Sequence, residues 1–325
     1  MAVAQPVDGV WRMTAPEPVG DVATLAARLL DRAGGGAVAL GLDLPLGLPR
    51  AFVAAHLPNI ANFPSFLDEL PGRPDFLRVA DTIEDAGPHR PFFPRANPPG
   101  LNRAAHVAAL GLTSPSDLSR PCDRATAERP AGASLFWTLG PNQSGKAAIS
   151  AWRDLLMPCR ALLRLWPFEG NFLPLLTPGK IVVAETYPAE AMRQLGIRLA
   201  GSKRTQSVRA AAAPALFATC ARLGVTPDVA AEAAIASGFG ADAAGEDRID
   251  CTLGLLCVVA VLRGERPDGI PPDRWLRRWE GWVLGQTALP AGFVPDCLDD
   301  ERPSMDKRGI STLPRPETQT VTDPP

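Results

Sequence analysis

Two short apolar runs along the chain predict strands that are buried in the core. Residues 37–42 follow an amphipathic helical pattern over residues 21–32, and residues 180–184 form the second run. A continuous apolar run directly after a helix is typical of a parallel strand that is covered on both faces. The pattern therefore predicts an α/β fold with these two strands in its central sheet.

The same periodicities predict the remaining elements. Strands are expected over 2–5, 10–14 and 134–139, and helices over 145–163, 189–195, 203–224, 227–237, 246–262 and 272–284. Residues 50–135 are rich in Pro, Phe and Arg, with short helical pieces near 63–70 and 102–110, and predict an insertion or lid. Residues 299–325 are Pro-rich, charged and aperiodic, which predicts a disordered tail. We therefore expect one domain over residues 1–298.

Composition and charge exclude several classes of protein. The 33 basic residues nearly balance the 35 acidic ones, which argues against nucleic-acid binding by bulk charge but not against a local basic groove. The six cysteines form no CxxC pair and the three histidines are scattered, so no zinc site is expected. The longest apolar stretch, 253–262, is too short to span a membrane. With no signal-peptide pattern at the start, we expect a cytoplasmic protein without a membrane partner.

Acidic residues stand at the ends of both buried strands and at the start of a long apolar helix. Asp43 follows the first strand and Glu185 the second, while Asp247 and Asp250 are spaced to share one helix face. Sites in open α/β sheets gather at the carboxyl ends of strands, so these carboxylates are expected to converge. Converging carboxylates repel one another unless a cation lies between them, and oxygen ligands favour Mg²⁺ or Mn²⁺. Such a site suits phosphoryl chemistry.

Each of these acids also has a purely structural interpretation. Asp43 could cap the segment that follows it, and Glu185 could pair with an arginine. Asp247 or Asp250 could cap the helix or complement its dipole. The sequence leaves these alternatives open.

Two groups of polar residues are candidates for binding phosphate. Residues 140–146 fit the phosphate-loop pattern GxxxxGK, but Ala147 stands where a hydroxyl should hold Mg²⁺, so a nucleotide-hydrolysing loop is disfavoured. We expect instead that this loop brings Gln143 and Lys146 near the acidic site. Further along, a basic cluster on a predicted helix could contact a phosphate backbone or be an ordinary solvated face. It comprises Lys203, Arg204 and Arg209.

Several segments, taken in order, resemble a family of predicted ribonuclease H-like nucleases, domain-of-unknown-function family 429. They are GLDLPLGLP at 41–49, LFWTLGPNQSGKAAISAWRDLL at 135–156, AETYPAEAMRQLG at 184–196, SKRTQSVR at 202–209, DRIDCTLGLLCVVA at 247–260 and EGWVLG at 280–285. The resemblance implies a mixed sheet flanked by helices and a carboxylate site for a divalent metal. It matches Asp43 to the mid-sheet acid, and Asp250 with Asp247 to the acid of the last helix.

One departure from that resemblance leaves the activity open. RNase H-like enzymes carry an Asp on their first strand, whereas this chain begins within the second strand of the opening hairpin, so the first strand is expected to be missing. The leading hypothesis is a nuclease or phosphoesterase with Asp43, Asp247 and Asp250 on Mg²⁺ or Mn²⁺. In it Glu185 is a further ligand or general base, and the substrate is nucleic acid or a small phosphoester. The alternatives are a non-catalytic module that binds nucleotide, nucleic acid or protein, and a phosphate-loop NTPase.

Overall fold

The computed structural model describes residues 1–95, 102–139 and 143–297, and its strands form two small sheets. The strands are β1 (Val3–Val7), β2 (Val10–Thr14), β3 (Val38–Leu42), β4 (Leu163–Leu165), β5 (Ile181–Glu185) and β6 (Val225–Pro227). The first sheet is mixed, in the order β1-β2-β6, with β1 antiparallel and β6 parallel to β2. The second sheet is parallel, in the order β3-β5-β4. The predicted α/β class is confirmed at this level.

Eleven α-helices surround these sheets in the described ranges. They are α1 (Leu25–Arg32), α2 (Arg50–His56), α3 (Phe63–Glu69), α4 (Arg103–Ala109), α5 (Ser144–Ala151), α6 (Phe172–Leu175), α7 (Pro188–Leu195), α8 (Gln206–Ala211), α9 (Ala213–Arg222), α10 (Val229–Ala236) and α11 (Ala244–Leu262). Two π-helical turns, Trp152–Leu156 and Leu276–Glu280, complete the helical content that bears on the site.

Four predicted elements differ from the structure, and the first is the helix expected over 145–163, which ends with the π-helical turn at Leu156. Residues 134–139 form no strand, because the Phe136 carbonyl accepts a hydrogen bond from Phe93 in an irregular segment. The helix expected over 272–284 is limited to a short turn that ends at Gly281, where φ is +68°. The helix expected over 203–224 is two helices separated at Ala212, and Pro214 opens the second.

The stretch 50–135 contributes directly to the core. Its phenylalanine side chains pack in the largest apolar cluster together with Leu163, Ile181 and Trp279. Those phenylalanines are Phe52, Phe63, Phe66, Phe76 and Phe92, all at most 3% exposed. Because these side chains are buried with the central sheet, the described part of this stretch contributes to the core of the domain, and the expectation that the stretch is an insertion or lid stays a prediction.

Strand pairing and one close helix contact bring the acidic residues toward each other. Leu42 at the end of β3 is in register with Glu185 at the end of β5. Helix α11 crosses β3 closely, since a Cβ on Gly41 would lie 3.1 Å from Val258 and only 2.7 Å from Thr186. Only glycine leaves room for this approach. The second half of α11 makes this contact, and Gly254 in the middle of the helix lies close to Thr186, so the start of α11 extends past the end of β3 toward Asp43.

Candidate functional site

Asp43 is the acid at the centre of the candidate site. It directly follows β3 and keeps contact with solvent, yet enough protein surrounds its carboxyl to raise its pKa to about 7. Burial is the largest cause of this higher pKa, the negative charge of Asp250 is the next, and Lys203 acts in the opposite direction. Asp43 is thus an exposed residue whose carboxyl is crowded by other acids.

Asp250 and Lys203 form the second part of the site. The Lys203 ammonium donates a hydrogen bond of 2.5 Å to Asp250 Oδ2 and lies 3.5 Å from Glu246 Oε1. The other oxygen, Asp250 Oδ1, is buried and has no hydrogen-bond partner. Burial raises the pKa of Asp250, and Lys203 only partly offsets the rise. Burial alone would lower the pKa of Lys203, but the Asp250 and Glu246 carboxylates raise it above its usual value.

The cation among these carboxylates is therefore the ammonium of the protein itself. Asp43, Asp247 and Asp250 do not bring three ligand oxygens within 4.8 Å of one another, which is the spacing at which three such groups hold a metal ion. Asp247 lies exposed in the first turn of α11, where its charge also complements the helix dipole. The expected convergence is thus limited to Asp43 and Asp250, with Lys203 between the charges.

Glu185 is held by an arginine, as its structural interpretation predicted. Arg120, fully buried, donates to Glu185 Oε2 at 2.7 Å and to Oε1 at 2.8 Å. It also donates to Asp123 Oδ1 at 2.7 Å and to the Leu46 carbonyl at 2.8 Å. Since Leu46 N in turn donates to Glu185 Oε2, this network fixes the loop that follows Asp43. Glu185 acts on the site through that loop.

A second acidic group, near Arg120, has the spacing of a metal site. Ligand atoms of Cys122, Asp123 and Glu185 lie within 4.8 Å of one another, so this buried group could hold a metal ion. However, both carboxylates already accept hydrogen bonds from the Arg120 guanidinium. Burial also raises the pKa of the Cys122 thiol well above its usual value, which disfavours the thiolate that binds metals. Arg120 thus supplies the positive charge that a metal would otherwise bring.

The other predicted phosphate-binding residues have different surroundings. Lys203 and Arg204 precede α8 in a turn, and Arg204 lies 3.5 Å from Glu246 with 71% of its side chain exposed. Arg209 is buried and donates to the backbone carbonyls of Lys203, Gly238 and Gly240, so it positions Lys203 and is no phosphate contact.

The predicted phosphate-loop segment is described only in part. Residues 140–142 lie outside the described residues. Gln143 and Lys146 are exposed at the start of α5. Lys146 is not among the charged groups that dominate the pKa of Asp43, which are Asp250, Lys203, Glu185 and Asp247. The expectation that this loop approaches the acidic site stays a prediction.

The sequence analysis missed Tyr187 as part of this site. The Arg129 guanidinium lies 5.3 Å from the centre of the Tyr187 ring and pairs with Glu190 at 3.2 Å. Burial raises the pKa of Tyr187, and Asp43 and Lys203 are among the charges that act on it. One available signal was that the only tyrosine of the chain stands two residues beyond the end of β5.

Comparisons with known proteins assign this chain to no group. No protein-family model matches it, and searches of curated proteins and of solved structures return no significant match. Within the described ranges, no helix is long and apolar enough to cross a membrane. The interpretation of the site therefore depends on its geometry and charge.

The pKa of Asp43 predicts how pH changes the stability of an Asp43→Asn variant. With metal removed by EDTA, the variant should be more stable than the wild type at pH 8, and the difference should narrow as pH falls toward 4. The folded protein binds the Asp43 proton up to pH about 7, whereas the unfolded chain releases it near 3.8. Wild-type stability is therefore lost as pH rises between these values.

Thermal unfolding at a series of pH values checks this prediction. Asp31→Asn, at an exposed position on α1, is the matched control and should show no such trend. A difference between Asp43→Asn and wild type that does not change with pH would contradict the assigned environment of Asp43.

Proposed function

We propose that this protein is an RNase H-like hydrolase that cleaves a phosphoester bond with Mg²⁺ or Mn²⁺ held between Asp43 and Asp250. The observation that carries the proposal is the buried, unpartnered Asp250 Oδ1 beside an acid whose pKa is raised to about 7. A buried carboxylate oxygen without a hydrogen-bond partner destabilises the folded protein, and repulsion from a second carboxylate nearby adds to this effect. A divalent cation that displaces the Lys203 ammonium would relieve both, and the two acids Asp43 and Asp250 would then be its protein ligands.

The sequence resemblance supports the same class, and so does the placement of the acids, although the opening hairpin lies in a different sheet from β3 and β5. A hairpin opens the chain, and the parallel strands β3 and β5 end in or directly before a carboxylate, with the acid-bearing helix α11 packed on β3. Nucleic acid or a small phosphoester is the proposed substrate, and the cytoplasm is the proposed location. Open strand ends in α/β proteins are the usual place for such sites.

Each side chain has a distinct proposed role. A bound cation would supply Lewis-acid stabilisation of charge on the phosphoryl oxygens. Asp43 would hold the cation together with Asp250 and would orient the attacking water beside it. Lys203 would leave Asp250 and bind the phosphate of the substrate instead. Tyr187 would lie at the same site. Glu185 is a positioning residue that acts through Arg120 and Leu46.

A cleavage assay tests this function directly. The purified chain is incubated with single-stranded and double-stranded DNA and RNA, and with an aryl phosphodiester, in Mn²⁺, in Mg²⁺ and in EDTA. Metal-dependent hydrolysis of any of these substrates supports the proposal. If Mn²⁺ binds but none of them is cleaved, the site is not a phosphodiesterase.

A second candidate function follows from the contact between Lys203 and Asp250. Because the Lys203 ammonium already balances Asp250 and Glu246, the site could serve a non-catalytic module that binds anions without metal. In that module Lys203 would meet the anion directly. Asp43 and Asp250 would then serve only to orient Lys203.

Replacing Lys203 separates the two candidates. If a metal binds between Asp43 and Asp250, Lys203 competes with it, and Lys203→Met should tighten Mn²⁺ binding about tenfold, equivalent to about 1.4 kcal/mol. Methionine keeps the apolar stem of the side chain. Arg204→Met, which removes an exposed partner of Glu246, is the matched control and should change Mn²⁺ affinity little. Calorimetric titration measures both variants, and a Lys203→Met protein that binds no Mn²⁺ would favour the metal-free module.

A further inference from the structure

A cavity on another part of the surface combines tryptophan side chains with two arginines, of which one has no carboxylate partner among the described residues. Its volume is about 360 Å³, which lies at the lower end of the range typical of small-molecule sites, about 300–1,000 Å³. One wall comes from α2 and the residues after it, and the other from the turn that begins at Arg274. The residues that the argument uses are Val53, Leu57, Ile60, Trp275, Trp279 and Arg278.

The second wall carries a repeated pair of residues. Arg274-Trp275 and Arg278-Trp279 are four positions apart, so each pair stands one helical turn from the other, and all four residues line the cavity. Trp279 is 3% exposed and forms part of the core. The partly exposed indole of Trp275, with the buried Trp279 beside it and an aliphatic wall opposite, favours a planar ring as the apolar part of an occupant.

The charges at this cavity favour an anion. Arg278 donates twice to the Ala61 carbonyl and has no carboxylate partner among the described residues, so its charge is not neutralised. Arg274 pairs with Asp296 at 3.0 Å, and Arg50 shares that carboxylate at 3.5 Å. Two guanidinium groups thus share one aspartate, and Arg278 adds a third positive charge that no carboxylate among the described residues balances. Guanidinium groups bind phosphate and carboxylate in a planar, two-pronged geometry.

An unpaired donor gives a further reason to expect a polar ligand. Trp275 Nε1 is buried and has no hydrogen-bond partner, while Arg50 lies 4.8 Å from the centre of its ring. A buried N–H without an acceptor destabilises the structure. An occupant with an acceptor near its ring would satisfy this donor.

We propose that this cavity, which we call the Arg-Trp cavity, binds a planar aromatic ring that carries a phosphate, as in a nucleoside monophosphate. The ring lies between α2 and Trp275, and the phosphate lies on Arg274 and Arg278. This site goes beyond the function proposed for Asp43 and Asp250. The acidic segment after Asp296, Asp299-Asp300-Glu301, could match the charge, but residues 298–325 contain no aromatic residue to stack on the tryptophans.

Calorimetric titration of the full chain in EDTA tests the proposal with three probes: adenosine 5′-monophosphate, adenosine and inorganic phosphate. The monophosphate should bind with a Kd below about 1 mM, and each of the other two at least about tenfold more weakly. Arg278→Gln and Arg274→Gln should each weaken the binding of the monophosphate about tenfold or more. Arg277→Gln is the matched control, because Arg277 contacts Asn171 and does not line the cavity.

Several outcomes would overturn the proposal. If the monophosphate binds no tighter than inorganic phosphate, the cavity is a simple anion site. If neither arginine replacement weakens the binding of the monophosphate, the ligand binds elsewhere. Binding that appears only when the chain ends at residue 297 would mean that the acidic segment of the chain itself is the occupant. Asp43→Asn should leave this binding unchanged, so failure here is distinguishable from failure of the proposed hydrolase.

Discussion

Replacing Arg120 by methionine should lower the free energy of unfolding by about 3–5 kcal/mol, the cost typical of breaking a buried ion pair from one side. Arg120 is fully buried and satisfies Asp123 and Glu185 together. Its loss leaves two buried carboxylates without a counter-charge. The hydrogen bond to the Leu46 carbonyl is lost as well, so the loop after Asp43 should loosen.

The destabilisation should depend on pH with a definite sign. Burial already raises the pKa of Glu185, and Arg120 opposes that rise. Without Arg120 the pKa of Glu185 in the folded state rises further, so the folded protein binds more protons than the unfolded chain. The Arg120→Met protein should therefore be least stable near pH 8 and should regain stability as pH falls toward 5.

Urea unfolding followed by circular dichroism measures this effect as a lower midpoint at unchanged slope. Arg153→Met is the matched control, because Arg153 pairs with Asp154 on the surface with 57% of its side chain exposed. That change should cost under about 1 kcal/mol. An Arg120→Met protein as stable as this control would mean that the buried network does not hold the site loop.

Asp43→Asn and Asp250→Asn should each lower metal-dependent phosphodiester hydrolysis by at least about 100-fold. Each change introduces an amide, which offers the cation a neutral oxygen where it needs a charged one. Asp247→Asn is the control on the same helix, since Asp247 is exposed and contributes only a weaker charge to the site. It should lose less than about tenfold.

Initial rates at saturating Mn²⁺ measure these losses, with thermal unfolding to show that each variant is folded. If Asp247→Asn is as inactive as Asp250→Asn, the cation lies nearer the outer face of α11 than we propose. Full activity of Asp43→Asn would exclude Asp43 from the chemistry.

The local pattern of apolar residues was sufficient to predict the two buried strands. Val38–Leu42 and Ile181–Glu185 were predicted within one residue, because a short apolar run bounded by glycine or a charged residue has few alternatives. The prediction of a helix over 272–284 was wrong because of a contact with a distant part of the chain. Its tryptophans indicated a helix, but Gly281 lies against the Leu46 carbonyl, where a Cβ would stand 2.2 Å away, and the chain turns there.

The partners of the acids could not be read from local sequence. Arg120 meets Glu185 across 65 residues, and Lys203 meets Asp250 across 47. Any of the 33 basic residues could have filled either position. The strand ends and the spacing of Asp247 and Asp250 located the acids, and only the packing of α11 on β3 decided that Asp250 faces the site while Asp247 remains exposed.

The most direct test of the account is a calorimetric titration of Mn²⁺ into the wild type and into a variant that carries both Asp43→Asn and Asp250→Asn. We predict binding to the wild type with a Kd between micromolar and millimolar, and no binding to the double variant at the same concentrations. Equal binding by both proteins would place the metal elsewhere. If neither the wild type nor the Lys203→Met variant binds Mn²⁺, the proposal of a metal-dependent site is contradicted.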